Sequence, residues 1–276
     1  MNAFLYLNYK CNIKCKACYF DKTGYNKTMD ELKEEVRILL EHRKLDTILL
    51  GGGEPTLHPN IIELIEYLRE LLIEPILLTN GVNLTNDSLS KYKDAGIEHV
   101  IIHVDSNQNR ADLKGDFLEL ADKIAKKVVA NDLVCSLTSI IYPETLHELD
   151  RTIDHVIESE LFLAFIGNCA TYSFDECDIK EDSLKLVEVK KILDKRGEPK
   201  FVLNSRLSNE PRWLFYNIKG KIIQIEQFGS FSGDEIDYCD NCPDLSVHKG
   251  QVRPACCCVD SVDQKHFEGV KWNQQL

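Results

Sequence analysis

Eleven cysteines in 276 residues are the first chemistry this chain offers, and eight of them fall into two tight groups, one near each end. Cys11, Cys15 and Cys18 follow the spacing C-x-x-x-C-x-x-C. Three thiolates this close can each take one iron of a cubane and leave the fourth iron open to a substrate or cofactor. A zinc ion with a distant fourth ligand is the plainer alternative. The second group pairs Cys239 and Cys242 as C-x-x-C, with Cys256, Cys257 and Cys258 close behind. Adjacent cysteines crowd one another on a single metal, so Cys256 and Cys258 are expected to complete a site begun by Cys239 and Cys242. An odd cysteine count, a chain of this size and no visible export leader argue against a disulfide framework. Cys135 alternates within a strand pattern and reads as a small buried hydrophobe. Cys169 and Cys177 are expected in a loop after the sixth strand, where they could donate a hydrogen atom, ligate a cluster or do nothing; the lean is to a substrate-side role.

These residues need positions, and the pattern of the chain supplies them. Short apolar runs at Phe4–Leu7, Thr47–Leu50, Pro75–Thr79, Val100–Val104, Val134–Ile141 and Leu161–Ile166 alternate with helical patterns. Thr28 followed by Glu31 is a capping box opening the first helix. Gly96 closes a helix running from Leu84 to Ala95. Six strand–helix units predict a parallel α/β fold. The pattern breaks after Lys200: Tyr216 to Ile222 looks like a hairpin, and loops dense in Cys, Asp, Gly and Pro follow. A boundary near 205 is expected, giving units 1–205 and 206–276. The first cysteine group follows the first strand directly, and strand ends of parallel sheets are where such folds place their sites.

Cys11-Asn12-Ile13-Lys14-Cys15-Lys16-Ala17-Cys18-Tyr19 resembles the cluster loop of the radical S-adenosylmethionine (SAM) superfamily. That family usually has an aromatic residue before the last cysteine; here Ala17 stands there and Tyr19 comes one place later. Gly52-Gly53-Glu54-Pro55, after the second strand, resembles the family's Gly-Gly-Glu-Pro motif. Paired glycines let backbone approach a ligand closely. The resemblance covers about residues 4 to 200 and implies a partial (β/α)6 TIM-like barrel with a short cysteine-rich carboxy-terminal extension. It implies a 4Fe-4S cluster on Cys11, Cys15 and Cys18. SAM would be bound by Tyr19, Gly52, Gly53, Glu54 and Pro55, with Asn80, Asp105, Ser106 and Ser139 as further contacts. Reductive cleavage of SAM would yield a 5′-deoxyadenosyl radical that abstracts a substrate hydrogen. An electron donor such as flavodoxin or ferredoxin is implied, and an auxiliary iron–sulfur cluster or zinc ion is expected at the second cysteine group. Lipid or small-molecule modification is the slightly favoured substrate reading, with a peptide-modifying maturase as the alternative. A structural metal-binding interaction module is the non-enzymatic alternative. His103, near the cofactor face, reads as packing.

Composition sets outer limits. A 43% hydrophobic, 28% charged chain is an ordinary packed globule. Forty-five acidic against 33 basic residues give a net charge of −12, which disfavours general nucleic-acid binding and leaves room only for a local basic patch. The apolar runs are too short for a membrane span, and a cytoplasmic location is expected.

Overall fold

The computed structural model describes residues 2–15, 18, 22–169, 186–204, 211–227, 244–248 and 251–254. In chain order the elements are β1 (Asn2–Tyr6), the short β2 (Lys14–Cys15), α1 (Met29–His42), β3 (Thr47–Gly51), α2 (Ile61–Glu70) and β4 (Glu74–Thr79). Next come α3 (Asn86–Ala95), β5 (His99–His103), β6 (Gln108–Asn109), α4 (Phe117–Ala130), β7 (Val134–Ile141), α5 (Leu149–Glu158) and β8 (Ala164–Cys169). The chain continues through α6 (Leu186–Leu193), β9 (Phe201–Asn204), β10 (Pro211–Ile218), β11 (Lys221–Gln227), β12 (Asp244–His248) and β13 (Gln251–Pro254).

Eleven strands form one mixed sheet in the order β13-β12-β1-β3-β4-β5-β7-β8-β11-β10-β9. The six central strands, β1 to β8 without the small β2–β6 ribbon, are parallel and lie in sequence order. Right-handed crossovers that always step in one direction put every connecting helix on the same face. Burial follows that rule. Leu5, Leu50, Leu77, Val100 and Cys135 sit side by side in register across five strands, each at most 1% exposed. Each aliphatic member of that row contributes roughly 1.5–3 kcal/mol by leaving water. Alternate positions on the opposite face, among them Phe4, Leu49, Ile76, Leu78 and His103, are only half-buried.

The strands expected from the sequence are all present, with one shifted: the sixth runs Ala164–Cys169, not Leu161–Ile166. Phe162 is buried by packing before the ladder begins. Cys169 therefore ends the strand, opposite Ile141 and Gln227, and its fully buried thiol belongs to the apolar core. Cys135 is likewise buried, as the alternation in its strand suggests. The α1 capping box forms as read, with the Thr28 side chain accepting from the Glu31 amide and Glu31 returning the bond.

The hairpin near 216–222 is β10–β11, turning at Lys219-Gly220, both with positive φ (49° and 86°), the backbone of a tight twisted turn. Strands on both sides of residue 205 share the sheet: β11 pairs parallel with β8, and β12 pairs parallel with β1 at the other flank. No described helix is long and apolar enough to cross a membrane.

Candidate active site

The loop carrying Cys11, Cys15 and Cys18 leaves the carboxyl end of β1 and is held from three sides. The first contact is with the turn after β3. Gly53 N–H donates to Asn8 O (2.9 Å), Glu54 N–H donates to Lys10 O (2.8 Å), and the Asn8 side-chain amide donates to Glu54 O (2.9 Å). A β-carbon added at Gly53 would lie 2.4 Å from Lys10 O, and one at Gly52 would lie 2.6 Å from Asn8 O. Gly52 also has φ +131°, a conformation L side chains rarely adopt. The two glycines thus admit the chain's own backbone at Asn8–Lys10. Sequence reasoning assigned that closeness to a ligand, whereas here it first locks the cysteine loop.

The second contact runs through Glu54, which is buried. One carboxylate oxygen accepts from Thr56 N–H (3.1 Å), the Thr56 hydroxyl (2.5 Å) and the Thr79 hydroxyl (2.7 Å), and the other from Asn80 N–H (2.8 Å). Burial pushes the acid's pKa up, and these donors pull it back. Pro55, buried, opens the short 3₁₀ turn Pro55–Leu57 that presents Thr56. Asn80 then reaches the cysteine loop: its amide donates to Asn12 Oδ1 (2.7 Å) and lies 3.9 Å from Cys11 Sγ.

The third contact is the β2–β6 ribbon, in which Cys15 faces Gln108 and Lys14 faces Asn109. Arg110 ties this ribbon to β4. Its buried guanidinium donates to Asn80 O (2.8 Å), to Gln108 Oε1 (3.0 Å) and twice to Asp112 (2.7 and 2.9 Å). Asn8, Asn12, Gln108 and Arg110 carry no local sequence signal for this role. The contacts that matter here, Asn8 with Glu54, Asn12 with Asn80, Gln108 with Cys15 and Arg110 with Asn80, join residues far apart along the chain.

The thiols are half-buried and sense one another. Desolvation raises Cys15 to about 12, and Asp105, Cys18 and Cys11 add to the rise. Cys11 is also raised, first by desolvation, with smaller contributions from Glu54 and Cys18. Burial thus disfavours the thiolate forms of Cys11 and Cys15, the forms a metal would take. Among the described residues no three ligand-type side chains converge on a single-ion position. A cubane asks for a different arrangement, one thiolate for each of three irons. The three thiols lie on one loop fixed by backbone hydrogen bonds and are near enough to influence one another's charge, and three cysteines are the donor set such a cluster takes.

The other candidate residues divide. Asp105 is buried beside the site, with its oxygens held by His103 Nε2 (2.9 Å) and Asn107 N–H (2.9 Å). His103 thus has a polar partner and is more than packing. Ser139 is buried and donates to Val104 O (2.7 Å), and the exposed Ser106 donates to Glu148 (2.8 Å). Both hydroxyl donors are already committed within the protein. Two buried polar atoms near the site, the acceptor Asn8 Oδ1 and the donor Asn107 Nδ2, have no hydrogen-bond partner among the described residues. Tyr19, Cys177, Cys239, Cys242, Cys256, Cys257 and Cys258 lie outside the described residues.

A parallel α/β sheet with a three-cysteine loop clamped between a Gly-Gly-Glu-Pro turn and the end of the next strand defines a class of SAM-dependent iron–sulfur enzymes. The radical SAM superfamily pattern matches residues 5–156, more than half of the chain, and the chain belongs to that superfamily. A PqqA peptide cyclase of Bradyrhizobium diazoefficiens is 26% identical over 178 residues, 62% of this chain and 47% of that one. A Methanocaldococcus jannaschii protein, provisionally named a glycyl-radical enzyme activating enzyme, is 39% identical over 100 residues, 36% of this chain and 37% of its own. The crystal structure of Streptococcus suis SuiB bound to the precursor peptide SuiA shares the fold at TM-score 0.55 and 16% identity, covering 70% of this chain and 44% of that one. The chain spans about half the length, or less, of the curated relatives it matches.

Proposed function

We propose that this protein cleaves SAM reductively at a 4Fe-4S cluster on Cys11, Cys15 and Cys18 and uses the resulting radical to modify a peptide. One observation carries the reading: the cysteine loop is clamped, backbone to backbone, against Gly53 and Glu54 and tethered to Asn80. The cluster, when bound, supplies the electron that breaks the S–C5′ bond of SAM. The chain's own residues hold the loop, exclude water and bind the cofactor. A SAM pocket would lie at the carboxyl ends of the strands, beside this loop. Gly52, Gly53, Pro55, Asn80 and Asp105 would line the same pocket, with Glu54 holding its floor.

The peptide assignment rests on similar proteins, a peptide cyclase by name and a fold neighbour crystallised with its precursor peptide. Nothing among them supports the lean to lipids or small molecules. A peptide could lie on the sheet face opposite the helices, where Phe4, Leu49, Ile76 and Leu78 give way to His103, Thr138 and Asn168. The singly wound strand order supports a partial barrel closing around that face. Further parts of the proposal are an auxiliary iron–sulfur cluster or zinc at Cys239, Cys242, Cys256 and Cys258, a flavodoxin- or ferredoxin-type donor, and a cytoplasmic location.

The test is anaerobic reconstitution with iron and sulfide, then incubation with reductant and SAM. Mass spectrometry should detect 5′-deoxyadenosine, and candidate peptides should raise its yield and change mass. Continued release of 5′-deoxyadenosine after Cys11, Cys15 and Cys18 are all replaced by Ala would refute the cluster assignment.

A further inference from the structure

The sheet face opposite the helices is apolar on one half and polar on the other. On β1, β3 and β4 it presents Phe4, Leu49, Ile76 and Leu78. On β5, β7, β8 and β11 it presents His103, Thr138, Asn168 and Gln224, at the end of the sheet where the cysteine loop leaves β1. Register fixes their neighbours. His103 pairs with Thr138, Thr138 with Ile166, Ile166 with Gln224 and Gln224 with Phe215. One step nearer the strand ends, Asn168 pairs with Glu226 and Glu226 with Trp213. Asn168, Gln224 and Trp213 all lie beyond residues 5–156, the stretch that the superfamily pattern matches.

Hydrogen bonding on the polar half leaves acceptors over. The Thr138 hydroxyl spends its hydrogen on Ile166 O (2.7 Å), so Asn168, 3.2 Å away, must meet it with an N–H and keep its oxygen unspent. Gln224 likewise turns an N–H to the Glu226 carboxylate and keeps its oxygen. His103 Nε2, 2.9 Å from the Asp105 carboxylate, carries a hydrogen, which leaves Nδ1 of the neutral ring as an acceptor. These three acceptors have no hydrogen-bond partner among the described residues. The rings of Trp213 and Phe215 stand half-buried beside them. Charge agrees with this donor-seeking character. Lys221 is the only lysine or arginine in β1, β3, β4, β5, β7, β8 and β11, and it stands on the helix side, donating to Ser159 O (2.9 Å). Glu144 and Glu148 follow β7, while the exposed Lys10, Lys14, Lys22 and Lys114 are on the loops after β1 and β5. By sequence, residues 170–185, 205–212 and 228–243, which follow β8, β9 and β11, hold ten acidic and four basic residues.

We propose that this half of the face is a specificity subsite for a lysine or arginine side chain of the peptide substrate, read by the oxygens of Asn168 and Gln224 beside the Trp213 ring. The inference rests on the peptide reading above and adds which kind of residue the peptide must carry. An ammonium or guanidinium only donates, which matches a wall of unspent acceptors, and aromatic faces attract both cations. A carboxylate side chain would meet acceptor against acceptor, and an aliphatic one would leave the oxygens without partners. Asn168 and Gln224 are positioning residues here. They hold one residue of the peptide at the strand ends and take no part in bond breaking.

A mixture of randomised short peptides tests this on the immobilised full chain, anaerobic, with its cluster reconstituted and SAM present, at physiological salt. Retained peptides are sequenced by mass spectrometry and compared with the input. Lysine and arginine together should be enriched about ten-fold or more at one position of the retained peptides. Asn168→Leu with Gln224→Leu should return that position to the input level. Gln224→Lys should replace the preference with one for aspartate and glutamate. Glu74→Gln removes a carboxylate from the amino end of the same face and should leave the preference in place, which separates the subsite from a general attraction of cations to an acidic protein. No preference for lysine or arginine in the unsubstituted protein, or an unchanged one in both Gln224 variants, would overturn the subsite. The peptide reading fails differently: retained peptides that neither change mass nor raise the yield of 5′-deoxyadenosine would sink it, while a Gln224-dependent preference would still uphold the subsite.

Discussion

Gly53 and Glu54 show how much of the site depends on single atoms. Alanine at Gly53 would drive a methyl group to 2.4 Å from Lys10 O, and backbone on both sides leaves the contact no easy relief. We expect Gly53→Ala to cost about 1–3 kcal/mol and to lower bound iron per chain, because the displaced segment is the cysteine loop itself. Gly115→Ala is the control. Its φ of +116°, unlike the backbone of Gly53, disfavours a side chain, but nothing lies within 4 Å, so it should cost stability and keep the iron. Iron assays on both variants decide the matter, and full iron in Gly53→Ala would mean the glycine serves something other than the loop. Glu54→Gln exchanges an acceptor for a donor opposite N–H groups of Thr56 and Asn80, so one of them is left facing another donor. A loss of about 1–3 kcal/mol in urea unfolding is expected, with weaker cluster retention.

At the scale of elements, Arg110 joins two supports of the cysteine loop, the end of β4 and the β2–β6 ribbon. Replacing it with Leu leaves Asn80 O and Gln108 Oε1 without their buried donor, and about 2–4 kcal/mol of stability should go. Acid acts on the same lock. Bonding to Arg110 holds the Asp112 carboxyl below its ordinary value. Its contribution is therefore complete above the unfolded value near ~3.9 and is lost as pH falls through the lower folded value. The cluster-free protein should lose stability below about pH 4, and Arg110→Leu should flatten that part of the profile. A profile unchanged by the substitution would mean the acid-sensitive contact lies elsewhere. These supports were the least legible part of the sequence. Strands and helix caps announce themselves within a few residues, as Thr28 with Glu31 does, and cysteine spacing announces the loop. Arg110 meets Asn80 across thirty positions, and nothing local marks either end. The glycine pair was visible, but its close neighbour could only be identified once Asn8–Lys10 was placed beside it.

For the whole molecule, the question is what residues beyond 205 contribute. The sequence reads as six strand–helix units followed by an extension, because the short alternation of β12, Leu245 and Val247, is set in a stretch dominated by Cys, Asp and Pro. In the sheet, β11 covers the whole edge of β8, Ile222 facing Ala164 through Gln227 facing Cys169, while β12 flanks β1 at Asn2 and Ala3. Leu214, Tyr216, Ile223 and Ile225 are each 0% exposed and belong to the same core as the first six strands. Cutting after 205 would strip six ladder positions from β8, bare the edge of β1 and expose the apolar surface that those four side chains cover. An uncovered parallel edge beside exposed core is a template for aggregation. We therefore expect fragment 1–205 to be insoluble, or compact without cooperative unfolding. Fragment 1–227, which keeps the β9–β11 strands, should be soluble and unfold in one transition, with a midpoint below that of the full chain because β12 no longer guards β1. Size-exclusion chromatography and urea titration of the three proteins measure this. A monomeric 1–205 fragment as stable as the full chain would show that the barrel portion is a self-sufficient domain and the later strands mere additions to its edges.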